Sequence, residues 1–352
     1  MICLRKDDKL NICLVGCGGM AALYRHRYTQ IPCAQMYMVI DTDEVSARNA
    51  ALELHAIRWS TDFNDALSSE VDIIDISTPN YLHGQQAVAA LFSGKHVLLQ
   101  KPIAPTVTEA EEIVDAGRRN NKQVGIYMSM LDNPIYHEIK KVVEKGLLGR
   151  ITSLHCRGAH RGGLSMPEGS WRNSVEKTGG GSFIQLAVHQ INMAQLIAGD
   201  KISRVAAFSK NMMCANIGGD DVTSACCEFE GGIQGVLESA YCADQNILSI
   251  YGSGGFISVY NDSIVQIKMD EPYYGEIIRY DHPGGIKFIS GLSCIELYKS
   301  DNPYDQHIAF VKAIMQGSAV PVPADTGLYD LRIVKAVYKS ACENRFVSVS
   351  EI

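Results

Sequence analysis

Leu10-Asn11-Ile12-Cys13-Leu14-Val15-Gly16-Cys17-Gly18-Gly19-Met20-Ala21 decides the fold. A short apolar run able to form a buried strand ends in glycines, and an alanine-rich stretch able to form a helix follows at once. The spacing is G-x-G-x-x-A. At such a turn Gly16 allows the sharp exit from the strand, Gly18 lets backbone come close to a pyrophosphate, and Ala21 leaves room for the helix to lie on the strand. The helix N-terminus, with Gly19 and Met20 in its first turn, offers N–H groups and a partial positive charge to phosphates.

Glycines at strand-to-helix turns also serve purely steric ends, so the surroundings matter. A second apolar run, Met36 to Ile40, ends in Asp41, which lies 20 residues past Ala21. An acid at that distance can bind a ribose 2′-OH. This favours dinucleotide binding over a doubly wound fold with an empty crevice. Asp41 repels a 2′-phosphate and is followed by Thr42, Asp43 and Glu44 with no Arg, so NAD is the expected cofactor rather than NADP.

Strand and helix signals alternate from Leu10 to Tyr127, with strands ending at Ile76, Leu99 and Tyr127 and helices over 44–55, 62–68, 81–92 and 108–120. Apolar strands alternating with amphipathic helices predict a parallel sheet covered on both faces. Ligands of such sheets sit beyond the strand C-termini. Gly16 to Met20, Asp41, Ser77-Thr78-Pro79-Asn80 and Gln100-Lys101 should therefore converge there.

After a helix over 134–145 the pattern changes to β-branched, alternating runs at 151–157, 203–213, 222–229, 235–241, 247–251, 256–260 and 264–269, with glycine-rich turns between several of them. Such runs read as a largely antiparallel sheet. One helical pattern, 182–198, is inserted, and two more, 305–316 and 326–344, close the chain. The fold class is thus α/β. A Rossmann dinucleotide-binding domain over 1–127 precedes an α+β domain over 128–352 with a large, open, mostly antiparallel sheet.

A chain of 352 residues exceeds what one core usually serves, which also favours two domains. The net charge is −7 with no cluster of Lys and Arg, which argues against nucleic acid or an anionic membrane as partner. No apolar stretch reaches transmembrane length, and the first residues lack the apolar core of an export signal. A cytoplasmic protein is expected. The eleven cysteines need no disulfide role in an intracellular chain of this size; Cys13, Cys226 and Cys227 sit where Val or Ala would serve. His155-Cys156 with His160 looks ligand-like but has no matching pair at a zinc-site spacing, and no metal is expected.

Lys101 ends a buried strand and precedes Pro102. A lone Lys there is usually a solvated charge, yet at the end of a strand facing a nicotinamide it can polarise a carbonyl or alkoxide oxygen. Along 182–198, Gln185, His189 and Asn192 follow i, i+4, i+7 and form one narrow stripe on an otherwise apolar helix. A buried polar stripe must find partners, so a satisfied core network is one reading. Gln185 also completes a Ser-x-x-Gln capping box begun by Ser182. Histidine exchanges a proton near neutral pH, as alcohol oxidation by hydride transfer requires, and this favours a catalytic His189. Arg172, after Trp171, can clamp a phosphate or carboxylate, or be a surface charge. His160 and Arg161, at the end of the first strand of the second domain, can line a pocket or sit on an exposed loop.

In the order of these motifs the chain is similar to the Gfo/Idh/MocA family of oxidoreductases over nearly its whole length. The glycine loop, Asp41-Thr42-Asp43, Ser77-Thr78-Pro79-Asn80-x-x-His83, Gly94-Lys95-His96-Val97, Lys101-Pro102, Trp171-Arg172 and Gly179-Gly180-Gly181 with His189 carry the resemblance. It implies a Rossmann domain followed by an α/β domain whose open sheet forms oligomer contacts, hence a homodimer or homotetramer. The family's usual substrates are sugars, sugar derivatives and cyclitols.

The resemblance adds His83, Gln100, Trp171 and Arg172 to the expected cofactor-binding residues, and places Lys101, His160, Arg161, Trp171, Gln185 and His189 toward substrate. Two departures stand out. The family usually has Glu-Lys-Pro where this chain has Gln100-Lys101-Pro102, and often Asp four before and three after the catalytic His, where this chain has Gln185 and Asn192. The charge near Lys101 and His189 is less negative as a result.

The expected activity is NAD-dependent oxidation of a secondary alcohol of a sugar, sugar derivative or cyclitol, or reduction of the matching ketone. His189 takes the hydroxyl proton, Lys101 stabilises the alkoxide, and Gln185 orients one or both. Two other readings share the motifs: tightly held NAD used for transient sugar oxidation in a lyase or hydrolase reaction, and a non-catalytic NAD-binding regulatory protein.

Overall fold

The strands of the first half carry almost unbroken apolar runs, which suit a parallel sheet buried on both faces. In the computed structural model, which describes residues 9–281, 284–290 and 302–352, they form a six-stranded sheet. β1 (Leu10–Val15), β2 (Ala34–Ile40), β3 (Arg58–Ser60), β4 (Ile73–Ile76), β5 (His96–Gln100) and β6 (Val124–Tyr127) lie in the order β3-β2-β1-β4-β5-β6. Every pair is parallel. The order reverses between β1 and β4, and a crevice for ligands opens beyond the strand ends at such a reversal.

α1 (Gly19–Tyr24), α2 (Glu44–Glu53), α3 (Asn80–Phe92) and α4 (Val107–Arg119) connect the strands. Asp43 starts α2 by accepting Ser46 N–H at 3.0 Å, and Thr106 with Glu109 forms a reciprocal capping box at the start of α4, each satisfying donors a helix leaves open. The helix expected over 62–68 is a 3₁₀ turn, Phe63–Leu67, begun by an Asp62 side chain that bonds Asn64 N–H.

In the second half, α5 (Pro134–Glu144) precedes β7 (Ile151–Ala159), and the short α6 (Val175–Thr178) precedes α7 (Val188–Ala198). Then follow β8 (Ile202–Lys210), β9 (Val222–Phe229), β10 (Gln234–Ala240), β11 (Ile247–Gly252), β12 (Gly255–Tyr260), β13 (Ile264–Met269), a two-stranded ribbon of β14 (Tyr273–Tyr274) and β15 (Arg279–Tyr280), and β16 (Lys287–Ser290). With β17 (Val347–Ser348) they form a nine-stranded sheet in the order β16-β13-β12-β11-β7-β10-β9-β8-β17. Among the described strands of this sheet only the β7–β10 pair is parallel. Alternation sets the faces: Leu154, Cys156, Ala225, Cys227 and Leu237 are buried, while Ser153, His155, Glu228 and Val236 point the other way.

Three sequence expectations change here. β8 stops at Lys210 instead of Met213 because the N–H groups of Met212, Met213 and Cys214 turn to the Asp221 carboxylate at 2.8, 2.7 and 2.8 Å. Burial works against that charge, but the three donors hold Asp221 below the usual carboxylate range. Cys13 and Cys227 are buried, whereas Cys226 is exposed because β9 alternates. The 182–198 stretch is not one α-helix, since a π turn, Phe183–Ala187, precedes α7.

α8 (Gln306–Gln316) and α9 (Ala324–Glu343) close the helical part. Contacts divide the chain into two units: the stretch through Met128 with Asp305–Leu328, and Ser129–Tyr304 with Tyr329–Ile352. The chain therefore returns to its first unit after building most of the second. Phe310 of α8 belongs to the core under the parallel sheet, and a Cβ on Gly125 would lie 2.8 Å from its ring, which explains a glycine inside β6. Among the described residues no helix is long and apolar enough to cross a membrane, and no three His, Cys, Asp or Glu side chains could hold a metal ion.

Candidate active site

In the first unit the strand ends bring the expected loops together. Gly16 has φ +91°, and a Cβ there would lie 2.8 Å from the Ser77 carbonyl carbon. Only glycine combines that backbone with so close an approach. Gly18 and Gly19 are exposed with nothing within 4 Å of an added Cβ, so the face of the loop at the start of α1 is open. Met20 is half-buried and Ala21 fully buried, matching the packing role of a small residue there.

Asp41 Oδ2 accepts Cys17 N–H at 2.7 Å and its Oδ1 accepts Asp43 N–H at 2.9 Å. The carboxylate is thereby fixed against the glycine loop, and Thr42 beside it is exposed. Thr78 donates to Gln86 Oε1 at 2.6 Å. His83 is fully buried, with Nδ1 2.9 Å from Pro102 O and Nε2 3.0 Å from Thr78 O. It ties the loop after β4 to the loop after β5 from behind, and burial pushes its pKa down. Asn80 opens α3 and is buried, while Pro79 is half-buried. Gln100 is buried and its Oε1 accepts the Lys101 N–H at 3.1 Å; Lys101 is half-buried, and its bond to Pro102 is cis.

In the second unit, Ser170 starts a 3₁₀ turn, Trp171–Asn173, in which the Arg172 guanidinium stacks 4.4 Å from the Trp171 ring centre. His160 and Arg161 are exposed. His160 Nδ1 accepts Gly162 N–H at 2.9 Å and its ring lies 5.0 Å from that of Tyr241.

The π turn rearranges the predicted stripe. Gln185 is buried within it, His189 is half-buried in the first turn of α7, and Asn192 is buried and turned away to Asp330. Asn192 Nδ2 and Gln195 Nε2 each donate to Asp330 at 2.8 Å, and burial pushes that carboxyl up to about 7. The predicted capping box is absent. Ser182 Oγ bonds Asp220 Oδ2 at 2.8 Å and Ser239 Oγ at 2.7 Å, because Asp220 rather than Ser182 caps this helix.

Asp220 Oδ1 accepts Gly181 N–H and its Oδ2 accepts Phe183 N–H, both at 2.9 Å, while its carbonyl accepts Ser182 N–H at 2.6 Å. The next N–H, of Ile184, reaches Tyr338 Oη at 3.1 Å. Gly181 belongs here for steric reasons, since its Cβ would meet the Asp220 carbonyl oxygen at 1.9 Å. Asp220, Asp330 and Tyr338 were not singled out from the sequence. The only local sign was an Asp220-Asp221 pair following Gly218-Gly219.

Two family descriptions match the chain: "Oxidoreductase family, NAD-binding Rossmann fold" over residues 10–128 and "GFO/IDH/MocA C-terminal domain" over residues 136–258. The chain belongs to the GFO/IDH/MocA family. An uncharacterised oxidoreductase of Bacillus subtilis is 24% identical over 345 residues, covering 96% of this chain and 95% of that protein. Inositol 2-dehydrogenase 2 of Saccharopolyspora erythraea is 33% identical over 203 residues, 56% of each chain. The solved structure of levoglucosan dehydrogenase in complex with NADH and levoglucosan superposes with a TM-score of 0.85 at 23% identity, over 97% of this chain and 99% of that one.

As a GFO/IDH/MocA protein the chain is an NAD-dependent oxidoreductase. Its own residues fit that cofactor: the open space over Gly18 and Gly19 admits a pyrophosphate, and the fixed Asp41 carboxylate offers an acceptor to a ribose hydroxyl. Asp41→Ser should lower the preference for NADH over NADPH by about tenfold or more, the worth of a charged hydrogen bond. Fluorescence titration with both cofactors checks this, and an unchanged ratio refutes it.

Proposed function

We propose that this GFO/IDH/MocA protein oxidises a secondary alcohol of a sugar, sugar derivative or cyclitol, or reduces the corresponding ketone. The observation that carries the reading is the setting of His189. It is half-exposed on a helix whose other members from Val188 to Ala194 are buried, and it follows directly on a π turn, a distortion often found at functional positions. Bound NAD supplies the hydride acceptor. His189 takes the hydroxyl proton, Lys101 stabilises the alkoxide oxygen, and Gln185 orients the imidazole by a neutral hydrogen bond.

The names of the relatives, an inositol dehydrogenase and a levoglucosan dehydrogenase, support a polyhydroxylated ring as substrate. Arg172, Trp171, His160 and Arg161 belong to the same proposal as polar groups toward substrate or cofactor. Screening the purified protein with hexosides, amino sugars and inositols for NADH formation tests it. Reproducible turnover with a member of these classes is expected, and activity confined to acyclic alcohols or absent throughout opposes it.

The proposal includes a homodimer or homotetramer. Outward positions of the nine-stranded sheet carry Phe208, Phe288, Tyr251 and Val236, of which Phe208 is 78% exposed. Apolar groups of that size on one sheet face favour burial against a second copy. Light scattering at micromolar concentration should give a mass of two or four chains, and a monomer removes this part.

A further inference from the structure

β4 carries an acid where its neighbours are all isoleucine. Asp75 stands between Ile74 and Ile76 in a central strand, and its side chain is 1% exposed. An ionised carboxylate in such a place is costly without partners. Two hydroxyls reach it: Tyr28 Oη donates to Oδ2 at 2.7 Å, and Ser77 Oγ, on the same face of the strand, donates to Oδ1 at 3.3 Å. Ser77 Oγ is also hydrogen-bonded to Tyr24 Oη.

Behind these hydroxyls lies His307, from the first turn of α8, with no exposed surface. Its ring sits 4.4 Å from Tyr24, 4.6 Å from Tyr127 and edge-on 5.1 Å from Tyr28. Among the described residues neither ring nitrogen has a hydrogen-bond partner within 3.5 Å, and Nδ1 is 3.6 Å from Asp305 Oδ1. Asp305 Oδ2 in turn lies 3.3 Å from Arg27 Nη1, which reaches Tyr127 Oη at 3.4 Å.

Among the described residues, the titratable and charged groups around Asp75 are Tyr24, Arg27 and Tyr28 from α1 and the turn after it, Tyr127 from β6, and Asp305 and His307 at the start of α8. Cys13 of β1 adds a thiol whose pKa burial pushes far up. These groups include two carboxylates, Asp75 and Asp305, and one guanidinium, Arg27, which lies against Asp305. A single proton on the Asp75 carboxyl would remove the excess of negative charge among these named groups. Burial raises the Asp75 carboxyl above its usual range, while His307, Tyr28 and Ser77 draw it back.

We propose that Asp75, packed beside His307, holds one exchangeable proton behind the dinucleotide crevice, and that Ser77 connects its presence to the charge of the bound nicotinamide ring. Ser77 stands at the C-terminal end of β4, where dinucleotides approach folds of this kind. The oxidised ring is a cation and the reduced ring is neutral. An ionised Asp75 therefore favours NAD⁺, and a protonated Asp75 favours NADH. Coupling between two binding events is reciprocal, so NAD⁺ binding expels part of a proton that NADH binding retains.

The test needs no substrate, so it stands whether or not the sugar reading holds. Dissociation constants for NAD⁺ and NADH are measured by fluorescence from pH 6 to pH 9. The ratio Kd(NAD⁺)/Kd(NADH) should fall by about three- to tenfold as pH rises, the size expected for charges that interact through protein near a surface. Asp75→Asn should abolish the slope, and His307→Gln should shift its midpoint. A flat ratio in the wild-type protein, or the same slope in Asp75→Asn, overturns the proposal. Should Asp75→Asn not fold, an unmoved curve in His307→Gln does so.

Discussion

Replacing His189 with alanine is expected to lower turnover by about 10²- to 10⁴-fold, the usual contribution of a positioned acid–base group. NADH affinity should stay nearly unchanged. The separation follows from where the residues stand: Gly16, Gly18, Gly19 and Asp41 belong to the first unit, and His189 to the second. Steady-state kinetics with an active substrate and NADH titration without one measure the two quantities independently. Wild-type turnover in His189→Ala would make this histidine a packing residue, and the proton would have to be taken elsewhere.

The second large effect is on stability. Asp220→Ala removes the acceptors of two backbone N–H groups, Gly181 and Phe183, and of two hydroxyls, Ser182 and Thr223, each bonded at 2.8 to 2.9 Å. A buried donor left unpaired costs about 1–3 kcal/mol, and the four share one site, so a loss of about 3–5 kcal/mol is expected in place of the full sum. Scanning calorimetry should show the second unit melting roughly 10 °C lower. Asp220→Asn keeps one oxygen acceptor and should recover part of the loss. A shift below about 1 kcal/mol would mean that water or relaxed backbone replaces the carboxylate.

The parallel sheet, its strand ends and the glycine crevice were legible in the sequence because they follow from neighbours close along the chain. The turn at Gly16, the helix start at Gly19 and the acid at Asp41 obey local geometry, and the alternation from Ile151 onward fixed which side chains of the second sheet are buried. The helix carrying His189 was placed correctly, but its form was not. A regular 3.6-residue repeat predicted one stripe of Gln185, His189 and Asn192, whereas the π turn buries Gln185 and sends Asn192 to Asp330.

That outcome depends on partners far along the chain: Asp220 for the helix start, Tyr338 for its fourth N–H, and Asp330 for its amides. No spacing rule connects residues 39 or 138 positions apart. The return of α8 to the first unit, which sets His307 among Tyr24, Tyr28 and Tyr127, is likewise a matter of assembly. Helices and strands form from local periodicity, but a buried polar group takes whichever partner the packed core brings within hydrogen-bond distance, and only the tertiary structure decides that.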